Sequence, residues 1–526
     1  MIRSRIALAA CCLLTAALAR AQEPADNHTG YLRDAQALYQ SGQYFKSARY
    51  AFAAHEQNQS LRPEAYSWIT LSLTRAGLYN AASYFFIRTL QTGNKAAIQR
   101  VLGETENLLV RVGGDILRKY LIRHTRYEDY DLRNRSAYLY SLGKDTLLSG
   151  KEEKAIGYLN GIQAGSPLWP VALQLRGSAN AILGRNDLAI RDFRECQSRS
   201  ADLGSRILRD PRASRQLSRE SDDLHARCVA GEARTLYQME RFDDADQVYD
   251  GIPKSSFVWP DILFEQAWNS FGRREYNRTL GRLVSYKSPA LGFVFNTEVD
   301  VLRAQSFLAL CLYQDANQVI NEFNEKYTRV GEEVKRFVEM NSNNLKTFHE
   351  LGKNALSRSL YTKNDFHRLA NRFVRSPYFQ NLVAAERDVG GELNAVRQFD
   401  HMQPGVSHEP GKGFPGFLEQ VLGWRLKSIQ LLGGAFVKNS LIDYHSALIA
   451  DFEKMAFIKL EMLRQAKDKL IYKNSQLARG DDRGRGNMRP SRRDYQYYWS
   501  FNGEFWNDEL GDYVFGLESE CQNGGS

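Results

Sequence analysis

Three carboxylates near the C-terminus stand among aromatic side chains, which is the outline of a sugar site. Glu504, Asp508 and Glu509 share this segment with Trp499 and Trp506. Paired carboxylates can act as general acid and nucleophile on a glycosidic bond, while the rings stack on sugars. About thirty residues are too few to enclose a cleft, however, and a general acid needs burial to raise its pKa. We therefore predict no catalytic residue here, and glycan binding or processing stays the alternative.

Other chemistries find little support in the chain. Histidines are scattered without an H-E-x-x-H pattern, no cysteine pair has C-x-x-C spacing, and no Ser-His-Asp arrangement or dinucleotide fingerprint occurs. Gly411-Lys412-Gly413 lacks the leading glycine of a P-loop and is interpreted as a loop. We predict a protein that is not an enzyme and holds no metal or other cofactor.

Much of the chain shows a pattern of small and large residues that recurs after 34 residues, and the elements that it predicts would position any functional site. Gly143, Gly150, Ala155 and Leu159 recur as Gly177, Gly184, Ala189 and Phe193, and a second pair of segments repeats the step from Ala233 to Ala267. Small residues at these offsets let two antiparallel helices cross closely, and glycines at 77, 150 and 184 suit the turn between them. Large residues at the last offset would fill the gap to the next pair.

This pattern resembles the tetratricopeptide repeat family, most closely over Leu142-Gly143, Gly150, Ala155, Leu159 and Pro167. The resemblance implies an all-α solenoid of about eight helix pairs, because one pair cannot bury its apolar face alone. Copies are expected to start near residues 33, 64, 96, 136, 170, 226, 260 and 297, the third being degenerate. In this family ligands lie in the groove lined by the first helix of each pair. The groove candidates by register are Arg75, Lys144, Arg234, Tyr237, Phe264 and Trp268.

The same register places two cysteines near each other. Cys196 would end the second helix of one repeat and Cys228 would begin the next repeat, on either side of an insertion from 197 to 225. In an oxidising compartment a disulfide between them would close that loop. The alternative is a pair of buried thiols that act as small hydrophobes.

The N-terminus predicts export. Arg3 and Arg5 precede an apolar run that ends at Ala19-Arg20-Ala21, an A-x-A cleavage site. Removal of residues 1–21 lowers the formal charge from +9 to +6, because three arginines and no acidic residue leave. The alternative is a lipoprotein signal with Cys11 as the lipidation site. An exported, mildly basic chain disfavours nucleic acid as a partner and favours acidic protein surfaces or anionic envelope lipids.

A long helical stretch follows a Pro/Gly-rich break. Leu441, Leu448, Met455 and Met462 recur every seven residues, and so do the residues one position later, Ile442, Ile449, Ala456 and Leu463. Gly433-Gly434 predicts a turn between two helices, hence a helical hairpin. The stripe either packs on its own neighbours or forms a coiled coil with a partner or a second copy.

The aromatic segment after the basic, Gly-rich linker is too apolar for a disordered tail. We expect it to dock back on the helices as a clasp, or to bind a partner as a peptide. The predicted organisation is a signal peptide, a polar leader, the solenoid, a non-repeat helical extension, the break, the hairpin, the linker and the tail, at 1–21, 22–30, 31–325, 326–400, 401–416, 417–478, 479–493 and 494–526.

The predicted function is a non-catalytic scaffold of the bacterial cell envelope, in the periplasm, with other envelope proteins as partners. No segment has the length and apolarity of a membrane span. Cell-wall or outer-membrane association and the oligomeric state stay open. The order of repeats, long helices and aromatic-acidic tail also faintly resembles exported repeat proteins of delta-proteobacterial gliding-motility or envelope complexes.

Overall fold

A computed structural model describes residues 27–132, 134–209, 215–356, 365–401 and 410–473, and near the C-terminus 503, 505–506 and 509–521. Within these residues the protein is all-helical, with 80% helix and no strand, so the all-α prediction is confirmed. The predicted signal, the polar leader before Asn27 and the basic linker lie outside the described residues.

The described residues form 21 α-helices, joined by short turns and a few 3₁₀ turns. In chain order α1 to α21 are Asn27–Gln40, Tyr44–Gln57, Arg62–Arg75, Tyr79–Gln91, Lys95–Leu102, Thr105–Val112, Gly114–His124, Arg135–Leu148, Glu152–Asn160, Trp169–Ile182, Asn186–Arg209, Arg215–Gln238, Phe242–Tyr249, Trp259–Gly272, Tyr276–Val284, Glu298–Ala309, Tyr313–Met340, Leu345–Leu356, Asp365–Val374, Pro377–His401 and Phe414–Lys473.

Small residues stand where consecutive helices cross. A Cβ added to Gly143 of α8 would come within 2.7 Å of Leu159 in α9, and one added to Gly177 of α10 would meet Phe193 in α11 at 2.9 Å. Ala155, Ala189, Ala233 and Ala267 of the 34-residue pattern are fully buried. Consecutive helices from α9 to α17 accordingly pack on each other. Around residue 96 the chain forms three short helices, α5 to α7, where the pattern predicted a pair.

The turn inside each helix pair uses a left-handed residue. Gly77, Gly150 and Gly184 have φ between +66° and +80°, as the sequence predicts, and Gly42, which was not predicted, has φ of +80°. The corresponding position in later pairs is filled by residues with a side chain, namely Glu240, Arg274 and Cys311, at φ of 59°, 63° and 58°. An L residue in this conformation is strained, so these three turns are held by the packing around them.

The chain divides into two compact units. The first combines residues 1–142 with 387–426. Its core is aromatic: Phe45 stacks on Phe399 at 4.5 Å, and Phe52 packs against Phe414 and Phe417. The N-terminus of α4 is capped from α20, where the buried Glu392 accepts hydrogen bonds from the backbone of Asn80 and Ala81.

The second unit comprises residues 143–386 and 427–526. Its least expected element is α15, because eight of its nine residues, Asn277 to Val284, are buried. Arg282 reaches inward to form a bidentate ion pair with Asp246 at 2.9–3.0 Å and also donates to Ser270. These hydrogen bonds offset the cost of burying the guanidinium, although its Nε donates to no partner within the described residues.

The predicted hairpin is replaced by one helix. α21 runs for 60 residues from Phe414 to Lys473 without a turn at Gly433-Gly434. The two glycines instead permit close packing: a Cβ on Gly434 would overlap the carbonyl of Leu345, and one on Gly433 would overlap the ring of His349. The glycine pair therefore reflects contact with α18, which a sequence cannot distinguish from a turn.

Candidate interaction surfaces

The two heptad lines of α21 have opposite environments. Leu441, Leu448, Met455 and Met462 are at most 5% exposed, and the first three pack with residues of α16 to α20 in one hydrophobic core. The line one residue later points away from that core: Ile442 is 42% exposed, Ile449 51% and Leu463 53%. Successive helix positions differ by about 100°, so adjacent lines need not share an environment.

Two further side chains widen the exposed line into a surface. Phe457 is 71% exposed and Leu460 is 62% exposed. We call the set Ile442, Ile449, Phe457, Leu460 and Leu463 the outer face of α21. Five large apolar side chains are thus exposed on the side of the helix that faces away from the core, and clusters of exposed apolar side chains can mark interaction sites.

Hydrogen bonds fix the rotation of α21 and therefore the direction of the outer face. Asp451 is buried on the opposite side, where its carboxylate accepts from the Thr297 hydroxyl at 2.7 Å and from Lys454 at 2.9 Å. Lys454 also reaches Glu298 of α16 at 3.4 Å. A buried carboxylate with both oxygens bonded is costly to displace, so it resists rolling of the helix.

A second polar cluster contacts α21 nearer its N-terminus, at Gln430. Glu386 of α20 lies 3.1 Å from both His349 and Lys353 of α18, and Gln430 of α21 donates to it at 3.3 Å. Burial acts to raise the pKa of Glu386, but the hydrogen bonds from Lys353, Gln430 and His349 outweigh it and the pKa is lowered. The ionised form is thus the one that the cluster stabilises.

The six predicted groove residues do not form one cluster in the structure. Arg75 belongs to the first unit, where it contacts Tyr39 at 3.3 Å and Glu104 at 3.6 Å. The other five belong to the second unit. Lys144 is on α8, whereas Tyr237 lies on α12 with its ring 5.5 Å from Phe242.

Arg234 is occupied by an acidic partner. Its guanidinium makes two hydrogen bonds to Glu265 of α14, at 2.6 and 2.8 Å, and Tyr249 donates to the same carboxylate at 2.9 Å. The Glu265 hydrogen bond raises the pKa of Arg234, and burial raises that of Tyr249. An arginine held in this way is better placed to fix α12 against α14 than to take up a second anion.

Phe264 and Trp268 do lie together, one turn apart on α14 with ring centroids 6.4 Å from each other. Trp268 also borders an open cavity of about 380 Å³, which is further lined by Phe271, Gln305, Leu308, Ala309 and Gln465. Within the described residues the buried Oε1 of Gln305 accepts no hydrogen bond. The cavity thus offers aromatic surface together with an unsatisfied acceptor, the kind of lining that small polar ligands use.

The described part of the tail docks on the second unit, as the clasp interpretation expects. Leu510, Tyr513 and Val514 are buried, and Phe515 and Leu517 pack with Leu280 and Leu310. The Asn277 side chain bonds both the N–H and the carbonyl of Leu517 at 2.9 Å. A Cβ on Gly281 would overlap the carbonyl of Tyr513, so the tail backbone lies directly on α15 and explains why that helix is buried all round.

Two disulfides tie the second unit together. Cys196 of α11 is bonded to Cys228 of α12, the pair that the repeat register places side by side. Cys311, in the turn between α16 and α17, is bonded to Cys521 of the tail, 210 residues away. Our sequence interpretation missed the second bond, although two cysteines that remain after one pairing are the natural second pair.

The structure adds little to the sugar-site chemistry. Glu504 and Asp508 lie outside the described residues, so their arrangement with Glu509 is not defined. In the described ranges no group of three His, Cys, Asp or Glu side chains is arranged to hold a metal ion. No helix among them is both long and apolar enough to cross a membrane.

No family model matches this chain, and no curated protein sequence matches it significantly.

Proposed function

We propose that the protein is a non-catalytic scaffold of the bacterial cell envelope, exported by its N-terminal signal, which binds other protein chains. The observation that carries the proposal is the outer face of α21, because five large apolar side chains are solvent-exposed beside a heptad line that is fully packed. Hydrophobic surface of this extent has a free-energy cost in water that a bound partner removes.

The repeat pattern supports the same function. Paired helices with small residues at their crossings are typical of tetratricopeptide repeats, and we propose that the helix pairs within each unit stack as such a solenoid with a concave groove. Trp268 and Phe271 beside the cavity are the residues of that groove that we expect to contact a ligand. Arg234 we assign to the structure of the groove wall, since Glu265 already occupies it.

Crosslinking in cells, followed by mass spectrometry on the tagged mature protein, tests the proposal. Leu460→Glu places a charge in the outer face, whereas Ala447→Glu places the same charge on an exposed alanine of α21 outside that face. We expect defined envelope proteins, or further copies of this chain, to be captured by wild type and by Ala447→Glu but not by Leu460→Glu. Equal capture by all three would exclude the outer face, and no capture by any would exclude the scaffold.

Glycan binding is the second candidate, and the cavity beside Trp268 is the observation that favours it. Aromatic rings stack on sugar faces, and the amides of Gln305 and Gln465 could bond hydroxyl groups. Titration with soluble peptidoglycan fragments, followed by tryptophan fluorescence, tests this function. A signal that saturates in wild type and disappears in Trp268→Ala would support it, and the absence of any signal would remove it.

A further inference from the structure

We propose that the disulfide between Cys311 and Cys521 is a redox-controlled clasp, whose reduction releases the tail and opens the surface beneath it to an extended segment of another protein chain. We call that surface the tail groove. It consists of Asn277, Leu280 and Gly281 of α15, the following Ser285, and Leu310 and Leu312 at the end of α16. This inference goes beyond the proposed function, because it concerns a second binding surface and its control.

The two disulfides of the protein differ in access to solvent. Cys196 and Cys228 are 0% exposed, whereas Cys311 and Cys521 are both partly exposed. A thiolate must reach a sulfur atom to break a disulfide, so a buried bond reacts only after local unfolding. Exposed disulfides are also the ones that serve regulation more often than structure. An external dithiol is therefore expected to reduce the bond of the tail first.

The reaction is an ordinary thiol–disulfide exchange. One thiolate of the external dithiol attacks the Sγ of Cys311 or Cys521, and the other cysteine leaves as a thiolate and takes up a proton. The second thiol of the reductant then attacks the mixed disulfide, closes the reductant's own disulfide and frees the remaining cysteine. Two electrons and two protons pass from the dithiol to the protein, so no further reactant is required.

The non-covalent contacts of the tail compete with the conformational entropy that docking removes. Besides the Asn277 side chain, the Leu310 carbonyl serves the tail backbone by accepting from the Glu520 N–H at 2.9 Å. Water replaces these partners when the tail leaves. Burial of Tyr513 and Val514 favours docking, whereas fixing the backbone opposes it at every residue. The disulfide keeps an undocked tail beside its groove, so reduction shifts the equilibrium toward the free tail.

The tail groove recognises the backbone of its occupant. The Asn277 side chain bonds both the N–H and the carbonyl of Leu517, and the Asn277 carbonyl accepts from the Phe515 N–H at 3.1 Å. The Ser285 hydroxyl accepts from the N–H of Gly511 at 2.8 Å. Partners of this kind bind a non-helical segment in one register and do not depend on its side chains.

Apolar residues of the groove select the side chains. Phe515 and Leu517 of the tail pack with Leu280 and Leu310. Gly281 leaves room for a chain to lie directly on α15, because a Cβ there would overlap the backbone of the docked tail. The partner that fits the released groove is thus an extended segment with two large apolar side chains two positions apart. Until the clasp opens, the tail itself occupies this site.

Selective reduction is the first test. The purified mature protein is treated with limiting dithiothreitol, and free thiols are trapped with iodoacetamide and located by mass spectrometry. We expect Cys311 and Cys521 to be modified at least ~10-fold faster than Cys196 and Cys228. Equal rates, or faster modification of the buried pair, would overturn the clasp.

Hydrogen exchange of the selectively reduced protein tests the release. Protection should fall at the amides of Phe515, Leu517 and Glu520 and stay unchanged in α12, which reports that the unit is still folded. Protection of the tail that survives reduction would overturn the inference. In the Cys311→Ser/Cys521→Ser variant the tail amides should be unprotected without any reductant. If this variant does not fold, the oxidised and reduced wild-type proteins decide.

A peptide tests the released groove as a binding site. The probe is a fluorescent synthetic peptide of residues 509–520, added to the oxidised and to the selectively reduced protein. We expect saturable binding to the reduced form and at least ~10-fold weaker binding to the oxidised form, in which the tail competes at high effective concentration. A peptide that carries Phe515→Asp and Leu517→Asp is the control and should not bind. Equal affinity for the two forms, or no binding to the reduced form, would overturn the tail groove as a site for another chain.

Discussion

Two C-terminal segments of this protein are rich in apolar side chains, and they end in opposite states. The described tail buries Leu510, Tyr513 and Val514 on α15, whereas α21 leaves Ile449 and Leu460 in solvent. An extended chain must pair its backbone groups with something, so the tail finds Asn277 and Ser285. A helix satisfies its own backbone and carries side chains on every side, so one side can stay free. A segment rich in apolar side chains is therefore expected to bind something, but its sequence does not say whether the binding site is within the same chain or on another molecule.

Removing the disulfide that attaches the tail should give the largest change in the free energy of unfolding. Replacing both Cys311 and Cys521 by serine opens a loop of 210 residues, for which chain entropy predicts a loss of about 5 kcal/mol. Denaturant unfolding of the oxidised protein measures it. The control is the pair Cys196 and Cys228, which closes only 32 residues and should cost about 1–2 kcal/mol less. Equal losses from the two pairs would show that loop length does not govern the tail.

Alanine substitutions at neighbouring positions of α21 should show that its buried and outer faces contribute differently to stability. Leu448→Ala removes a buried side chain from the core and should lower the free energy of unfolding by about 3 kcal/mol. Ile449→Ala, one residue away and half exposed, should change it by less than about 0.5 kcal/mol in the monomer. Denaturant unfolding is measured at low protein concentration. Similar losses from both changes would mean that the outer face is covered within the chain.

The side chain that receives the tail offers a smaller test. Asn277→Ala leaves the partly buried N–H and carbonyl of Leu517 without this partner, at a cost of about 1–2 kcal/mol. Hydrogen exchange should speed up at tail amides and stay unchanged in α21. Asn439→Ala, an exposed amide on α21, serves as the matched control. Unchanged exchange at Leu517 would show that the disulfide alone holds the tail.

Lowering the pH should have the smallest of these effects, a local weakening of the contacts that Glu386 makes with α21. Because the pKa of Glu386 is lowered in the folded protein, its stabilising contribution is complete above the unfolded value near 4.5 and is lost as pH falls through the folded value. We expect faster hydrogen exchange around Gln430 below pH 4.5, with an effect below about 1 kcal/mol. Glu386→Gln should abolish the pH dependence at this site, and its persistence would assign it to another group.

The features that the sequence predicted are those that depend on local spacing. Gly143 and Gly177 stand at helix crossings, and the turn glycines have the expected left-handed conformation, since sterics at a crossing or turn act within one helix pair. Features that depend on contacts between distant segments could not be predicted from local spacing. Among them are the hydrogen bonds of Glu386, the packing of the tail on α15 and the direction in which each heptad line points. Gly433-Gly434 misled because a turn and a close helix contact both demand glycine.

That glycine pair also sets the phase of the longest helix. α21 carries two adjacent apolar lines, so a rotation of about 100° would present Ile442 and Ile449 to the core in place of Leu441 and Leu448. The backbone of Leu345 in α18 excludes that rotation, because it would bring Ala435 with its Cβ to the place where Gly434 now touches the Leu345 carbonyl. This contact, some 15 residues before Ile449, therefore fixes the rotation of α21 about its axis. It determines which of the two apolar lines is buried in the core and which is exposed to other molecules.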